Sequence, residues 1–208
     1  MKKIILIGGG GHCKSCIDII EKTKNFEIVG IIDLKEKVNS KVFDYSVIGT
    51  DEDIMKLSKL TDYFFITMGQ IGKPKKRKEL FNYLKKSQLP IATIVSPHAV
   101  IGKGVSIGDG SIIMHNAIIN TEAKIGENCI INSRALVEHE SEVGDSCHIS
   151  TGVILNGEVK VGCDCFIGSN VTVNLQVSIA DNTIVGSSSL ITKSISSSGV
   201  YKGVPVNV

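Results

Sequence analysis

The 208-residue chain has 42% hydrophobic and 21% charged residues, 21 glycines and no tryptophan. This composition is typical of a folded protein and excludes a disordered or low-complexity chain. No apolar run approaches the roughly 20 residues of a membrane span, so a transmembrane protein is excluded. The apolar segment near the N-terminus is too short for a signal peptide, and we therefore expect a cytoplasmic protein with reduced cysteines.

Charge divides the chain into two halves. Residues 1–95 carry 17 Lys and Arg against 11 Asp and Glu, whereas residues 96–208 carry 6 against 10. This asymmetry indicates two differently built domains, and we place the boundary after residue 95.

The first domain begins with an apolar strand over residues 2–8, followed by a glycine-rich loop and an amphipathic helix over about 14–24. Further strands are predicted over 27–33 and 63–68. This order is typical of a small parallel α/β unit of Rossmann type, whose ligands bind at the carboxyl ends of the strands.

The glycine-rich loop, Gly8 to Gly11, predicts nucleotide binding, but it is not a complete dinucleotide fingerprint because Cys13 stands where a third glycine is expected. Asp33 ends the second strand, and its separation from Gly8 along the chain is close to that at which an acidic residue meets a ribose. The sequence therefore predicts nucleotide binding, and because the fingerprint is incomplete, the nucleotide need not be NAD.

A basic stretch, residues 73–78, opens the last predicted helix of this domain. It lacks interleaved aromatic residues, and apolar residues follow at helical spacing. We expect a solvated helix face and no nucleic-acid partner.

The second domain is an internal repeat with a period of six residues. Sixteen consecutive positions at this period, the lattice residues, are all Ile, Leu or Val. They are Ile101, Ile107, Ile113, Ile119, Ile125, Ile131, Val137, Val143, Ile149, Leu155, Val161, Ile167, Val173, Ile179, Val185 and Ile191. Two residues before each of them stands a small or β-branched residue. This pattern predicts a hexapeptide-repeat solenoid, a left-handed parallel β-helix of about five 18-residue coils.

The residues after the lattice positions are expected to form the corners of the coils. Segments such as Gly102-Lys103-Gly104 and Gly126-Glu127-Asn128 tolerate the positive φ of tight turns. The register never breaks between Ile101 and Ile191, so we expect no insertion longer than a corner.

The combination of Gly-Gly-Gly-Gly-His12, a hexapeptide solenoid with Glu138-His139-Glu140, and a closing Gly203-Val204-Pro205 resembles a bacterial family. It is similar to the sugar acyltransferases related to UDP-bacillosamine N-acetyltransferase and the sialic acid O-acetyltransferases. The resemblance covers essentially the whole chain. It implies a homotrimer that binds acetyl-CoA along the solenoid between subunits and a nucleotide-linked sugar in the N-terminal unit.

The resemblance also implies roles for individual residues. His139 matches the general base and Glu140 the acid that assists it, although the residues alone leave open whether Glu138 or Glu140 helps. His148 and Gly157 match acetyl-CoA contacts, and we expect His148 to point outward, where it could face a neighbouring subunit. The matches to nucleotide-sugar contacts are Gly10, Gly11, His12, Asp33, Leu34 and Gly69. Leu34 replaces a second aspartate of the bacillosamine enzymes.

The cysteines are expected to be structural. Cys129, Cys147 and Cys165 fall on the small inward positions, where a thiol acts as a small hydrophobe. Cys163-x-Cys165 and Cys13-x-x-Cys16 lack a second pair at zinc-site spacing, so we expect no metal and no acyl-cysteine intermediate.

The sequence therefore predicts an acetyl-CoA-dependent N-acetyltransferase. The expected acceptor is the 4-amino group of a nucleotide-linked amino-deoxy sugar, with direct attack on the thioester and His139 as base. Two alternatives remain open: O-acetylation of a sialic acid on the same scaffold, and a non-catalytic, trimeric nucleotide-binding scaffold. The nucleotide, the sugar and the glycan pathway are not determined by the sequence.

Overall fold

The computed structural model describes residues 1–207, which form two compact units. The first unit comprises Met1–Gly69 and Lys76–Ile94, and the second comprises Gln70–Lys75 and the chain from Val95 onward. Among residues 1–207, no helix combines the length and the apolar character needed to cross a bilayer.

The first unit is a five-stranded sheet with helices. Its elements are β1 (Lys2–Ile7), α1 (Gly11–Thr23), β2 (Phe26–Ile32), β3 (Lys41–Val42), β4 (Tyr45–Gly49), α2 (Ile54–Leu57), β5 (Tyr63–Ile66) and α3 (Lys75–Lys86), with 3-10 turns at Lys35–Lys37, Asp51–Asp53 and Ser58–Leu60. The strand order is β3-β4-β2-β1-β5. All neighbouring strands are parallel except β3 and β4, which form an antiparallel hairpin. The predicted α/β unit is confirmed, but its sheet is mixed rather than wholly parallel.

Two local expectations for this unit change. Helix α1 begins at Gly11, earlier than predicted, because the glycine loop leads directly into its first turn. The basic helix is not solvated throughout, since Arg77 is 2% exposed. Its Nη1 donates to the backbone carbonyls of Ile66 (2.5 Å) and Met68 (3.0 Å), and these bonds satisfy the end of β5.

The second unit is the predicted left-handed β-helix. Its first side holds β7 (Val100–Ile101), β10 (Ile118–Ile119), β13 (Leu136–Val137), β16 (Ile154–Leu155), β19 (Thr172–Val173) and β22 (Leu190–Ile191). Its second side holds β8 (Ser106–Ile107), β11 (Lys124–Ile125), β14 (Glu142–Val143), β17 (Lys160–Val161) and β20 (Ser178–Ile179). Its third side holds β6 (Ile94–Val95), β9 (Ile112–Ile113), β12 (Ile130–Ile131), β15 (His148–Ile149), β18 (Phe166–Ile167), β21 (Ile184–Val185) and β23 (Val200–Tyr201).

Every strand from β7 to β22 has two residues and ends on a lattice residue, so the six-residue period is confirmed. Parallel partners occupy the same place in successive coils, for example Leu136 with Ile154. The lattice residues and the small inward residues form one core, in which Cys129, Cys147 and Cys165 are fully buried as expected.

The corners carry the positive φ that was expected of them. Positive φ occurs at the third residue after each lattice residue from Ile101 to Val185, for example at Gly104 (77°) and Ser188 (60°), and most of these residues are not glycine. The glycine directly after a lattice residue has another cause. A Cβ on Gly126 would lie 2.8 Å from the backbone nitrogen of Asp145, one coil further on. Glycine is needed there because two backbones approach closely.

Candidate functional site

His139 lies in the corner between the first and second sides, which we call corner 1. Strand β13 ends at Val137, so Glu138, His139 and Glu140 all belong to the turn, and Glu140 has φ 58°. His139 Nδ1 lies 3.3 Å from Glu140 Oε2, and the two side chains are 45% and 57% exposed. Because these residues are not in a flat strand, alternation does not turn Glu140 away from the ring.

Glu138 has a different role in this corner. Its Oε2 accepts hydrogen bonds from Asn120 Nδ2 (2.7 Å) and from the backbone N–H of His139 (3.1 Å). It therefore holds the backbone of the turn, whereas Glu140 is the carboxylate beside the imidazole.

Gly157 occupies the position of His139 one coil further along the solenoid. A Cβ on Gly157 would lie 2.6 Å from both Nε2 and Cε1 of His139. The missing side chain therefore provides the space that the imidazole occupies. Nε2 and the Gly157 backbone N–H are thus within about 5 Å of each other.

The backbone N–H of Gly157 has no acceptor within the described part of the chain. The equivalent N–H groups one and two coils earlier are bonded: that of His139 to Glu138 (3.1 Å) and that of Thr121 to Asn120 Oδ1 (2.8 Å). The difference arises at Asn156, whose Nδ2 donates to the carbonyl of Val173 (2.7 Å). A donor beside the imidazole is left available for a ligand.

His148 is placed differently from the expectation. It lies on the outside of the third side, but it is only 7% exposed, so it does not present a free ring to a neighbouring subunit. Its Nδ1 lies 2.5 Å from the carbonyl oxygen of Gln70, and its Nε2 lies 3.1 Å from Asn132 Nδ2. The ring of Phe166 packs edge-on at 5.3 Å. A contact to acetyl-CoA stays a prediction.

The glycine loop of the first unit leads into the first turn of α1. Gly10 caps this helix without a side-chain hydrogen bond, and no acidic residue lies in the first turn. A Cβ on Gly10 or Gly11 would meet no atom within 4 Å, so these positions border open space. Gly69 lies nearby, because its Cβ would be 3.4 Å from that of His12. The structure thus brings four of the expected substrate contacts together.

Asp33 fixes the glycine loop from the end of β2. Its Oδ2 accepts from the backbone N–H of Gly9 (2.9 Å) and from Lys37 Nζ (3.0 Å), and its Oδ1 accepts from the N–H of Leu34 (2.8 Å). Burial by itself raises the pKa of this carboxyl, but the hydrogen bonds from Leu34, Lys37 and Gly9 outweigh it, and the pKa is lowered. Asp33 is therefore ionised at neutral pH.

A cleft of about 740 Å³ adjoins Asp33 at the carboxyl ends of β1, β2 and β5. Its lining includes Leu34, which is 58% exposed, and apolar and charged residues in similar number. The lining residues are Ile7, Gly8, Ile32, Asp33, Leu34, Lys35, Val38, Thr50, Asp51, Glu52, Asp53, Met68 and Lys76. The wall from Thr50 to Asp53 was not predicted from the sequence. Its signal was a capping box, in which Thr50 and Asp53 bond each other.

Metal ligation was not expected for the cysteine pairs. Cys165 is fully buried, and burial raises the pKa of the partly buried Cys163 thiol. Within residues 1–207, no group of three or more His, Cys, Asp or Glu side chains is arranged to hold a metal ion.

The chain is similar in sequence to proteins of known activity. The family model of the PglD N-terminal domain matches residues 3–84. The UDP-N-acetylbacillosamine N-acetyltransferase of Bacillus subtilis is 30% identical over 115 residues, which are 55% of this chain and 52% of that protein. The match thus spans about half the length of this curated relative.

Solved structures match the whole chain. PerB from Caulobacter crescentus, in complex with CoA and GDP-perosamine, is 28% identical with a TM-score of 0.91, covering 100% of this chain and 97% of that one. The acetyltransferase domain of PglB from Neisseria gonorrhoeae, at 22% identity and a TM-score of 0.92, covers 100% of this chain and 99% of its own and supports the fold. The chain is therefore similar over residues 3–84 to the PglD N-terminal domain, and over its whole length to bacterial sugar N-acetyltransferases such as PerB.

Proposed function

We propose that the chain is an N-acetyltransferase that transfers the acetyl group of acetyl-CoA to the 4-amino group of a nucleotide-linked amino-deoxy sugar. The observation that carries this proposal is the arrangement at corner 1. There the His139 imidazole, with Glu140 beside it, faces the space next to the unbonded N–H of Gly157. The similarity to PerB, whose structure holds CoA and GDP-perosamine, supports the same class of substrates.

The residues of corner 1 suit a direct attack of the amine on a thioester. When bound, acetyl-CoA supplies an activated acetyl group with a good leaving thiol. His139 Nε2 takes the proton that the amine loses as the new C–N bond forms. Glu140 favours the imidazolium that results, and the Gly157 N–H donates to the oxygen on which negative charge develops. His139 then returns the proton to the departing thiolate, which leaves the base neutral for the next turnover.

The outer face of the first side supports assembly into a homotrimer. Its outward residues are largely apolar, and three are well exposed: Val100 at 59%, Ile118 at 41% and Ile154 at 37%. The second side instead presents Lys124, Glu142 and Lys160. Covering an apolar face by cyclic assembly is favourable. Because corner 1 borders the first side, the same assembly would place a neighbouring subunit beside His139.

The free thiols support a cytoplasmic location. All six cysteines are unpaired, five of them buried. Reduced thiols are the rule in the cytoplasm, where we place the reaction.

The test is acetyl transfer by the purified chain. Acetyl-CoA is supplied with UDP-, dTDP- or GDP-linked 4-amino-4,6-dideoxyhexoses, or with CMP-sialic acid and free sialic acid, and CoA release and product mass are measured. We expect acetylation of a nucleotide-linked amine. Turnover of sialic acid alone would replace the proposal with O-acetylation, and no turnover with any acceptor would favour the scaffold.

Replacing the base is the companion measurement. With the best acceptor, we expect His139→Ala to lower kcat by a factor of about 10² to 10⁴, the usual contribution of a positioned general base. Thr121→Ala is the matched control, because Thr121 holds the same corner position one coil earlier. If His139→Ala keeps kcat within tenfold of the parent, His139 is not the base.

A further inference from the structure

Lys37 lies in the turn after β2, close to Asp33. The sequence assigns it no function. It ends the 3-10 turn Lys35–Lys37 that follows β2, and its side chain is 45% exposed. Its Nζ lies 3.0 Å from Asp33 Oδ2, the same oxygen that accepts the Gly9 N–H at 2.9 Å. The ammonium and the glycine-loop nitrogen therefore share one carboxylate oxygen and lie close to each other.

Asp33 keeps this ammonium in a defined position. The Asp33 side chain is only 10% exposed and is held by two backbone N–H groups, so the carboxylate cannot follow a mobile lysine. An ammonium carries three donors, and Asp33 uses one of them. The remaining donors are available to a group that enters from the open space beside the glycine loop.

The glycine loop and the first turn of α1 carry no acidic side chain, and the carboxylates Asp51, Glu52 and Asp53 line the adjoining cleft. The first turn of α1 contains Lys14 and no acidic residue, although acidic side chains are normally favoured at a helix N-terminus. Asp33 is the carboxylate that bonds the loop backbone, and Lys37 forms an ion pair with it. A ligand with two negative charges at the loop would meet the Lys37 ammonium and the backbone of the loop.

We propose that Lys37, held in place by Asp33, binds the diphosphate of the nucleotide-linked sugar and makes the site selective for nucleoside diphosphate carriers over nucleoside monophosphate carriers. Where this concerns the sugar, it rests on the proposed function; the preference for the diphosphate itself does not. This contact of the Lys37 side chain would discriminate between diphosphate-linked amino sugars and CMP-linked sialic acids. Lys37 is thereby a substrate-binding residue, and Asp33 is its positioning residue.

Binding of the nucleotides without the sugar tests the proposal directly. Titration calorimetry compares UDP with UMP and GDP with GMP, using the full chain, the Lys37→Gln variant and a Lys41→Gln control. Lys41 is an exposed lysine of β3 in the same unit, so the control makes the same change in charge. We expect Lys37→Gln to weaken UDP and GDP about tenfold, as for one charge-assisted hydrogen bond to an exposed group, and to change UMP and GMP less than about twofold.

Each contrary result has a definite meaning. An unchanged affinity for both diphosphates in Lys37→Gln overturns the proposal, and so does a wild-type chain that binds neither UDP nor GDP. Equal weakening of UDP and UMP also overturns it, because Lys37 would then act only through Asp33 and the loop. A Lys41→Gln effect of the same size would reduce the result to net charge and overturn the specific contact.

The acetylation assay separates this inference from the proposed function. A wild-type chain that acetylates no amine but loses UDP or GDP affinity in Lys37→Gln would refute the function and keep the diphosphate contact. If the wild-type chain acetylates a nucleotide-linked amine and Lys37→Gln has an unchanged affinity for the diphosphates, the proposed function is supported and the diphosphate contact is refuted.

Discussion

Two corners of the same solenoid use glycine for different purposes. In the corner between the second and third sides, which we call corner 2, Gly126, Gly144 and Gly162 directly follow lattice residues. A Cβ on any of them would lie within 2.7–2.8 Å of the backbone nitrogen of the next coil. At corner 1 the same position carries a glycine in the first coil, Gly102, but it carries Glu138 and Asn156 in the coils around His139, where the glycine stands one residue later, at 157.

The difference lies in what occupies the space beside each glycine. At corner 2 the space is filled by backbone, which cannot move without breaking the register of the coils. At Gly157 the space is filled by the tip of the His139 side chain, which has rotatable bonds. Gly126, Gly144 and Gly162 therefore let the coils stack closely, whereas Gly157 leaves room for the His139 imidazole beside an open N–H.

The largest effect is expected from Gly144→Ala in corner 2. The added Cβ would lie 2.8 Å from both the nitrogen of Cys163 and the carbonyl carbon of Gly162. Relieving this contact requires the coils to separate locally, so we expect the free energy of unfolding to fall by about 3 kcal/mol. Chemical denaturation monitored by circular dichroism measures it. A decrease in the free energy of unfolding below about 1 kcal/mol would show that the coils can separate at this corner without strain.

Gly157→Ala should give the opposite result. The imidazole can rotate away from the added methyl group, so we expect the free energy of unfolding to change by less than about 1 kcal/mol. If His139 is the proposed base, the displaced imidazole would no longer face the acceptor, and kcat/KM should fall by about 10- to 100-fold. The acetylation assay and the same denaturation series measure both quantities. Full activity in Gly157→Ala would mean that the imidazole works from another rotamer.

The two corners were not equally predictable. The lattice residues predicted every coil and its register, because an unbroken six-residue period of aliphatic residues is typical of a solenoid. It even contained the pairing of His139 with Gly157, because residues one coil apart occupy equivalent positions. Positive φ in the corners was predicted, but the sequence does not show that the leading glycines serve the close approach of two backbones instead, because glycine suits both purposes.

The first unit was less predictable because its site depends on contacts between distant segments. The β3–β4 hairpin turns at Phe43-Asp44, which lacks the Asn-Gly or Asp-Gly signal of a two-residue loop. Lys37 follows Asp33 closely in the chain, but only the turn at Lys35–Lys37 shows that the two side chains meet. In the second unit, the cover of His148 by Gln70 joins two residues far apart in the chain that no periodic pattern relates.

The smallest effect is expected from Cys147→Ser, on the inner wall of corner 2. Cys147 Sγ donates to the Gly162 carbonyl (2.9 Å) and accepts from the Cys165 N–H (3.4 Å), and burial raises its pKa, so the thiol keeps its proton. Ser111 makes the same two bonds two coils earlier, to Gly126 and from Cys129. We therefore expect Cys147→Ser to change the free energy of unfolding by less than about 1 kcal/mol.

Cys147→Ala is the matched variant, because it removes the hydrogen-bond donor and leaves a small cavity. We expect it to lower the free energy of unfolding by about 2 kcal/mol. Both variants should acetylate at the parental rate, since corner 2 contributes no group to the proposed reaction. Equal destabilisation by serine and alanine would mean that the thiol stabilises the coil through its volume alone. A loss of activity in Cys147→Ser without a loss of stability would instead bring corner 2 into the reaction, and the division between a structural and a functional corner would fail.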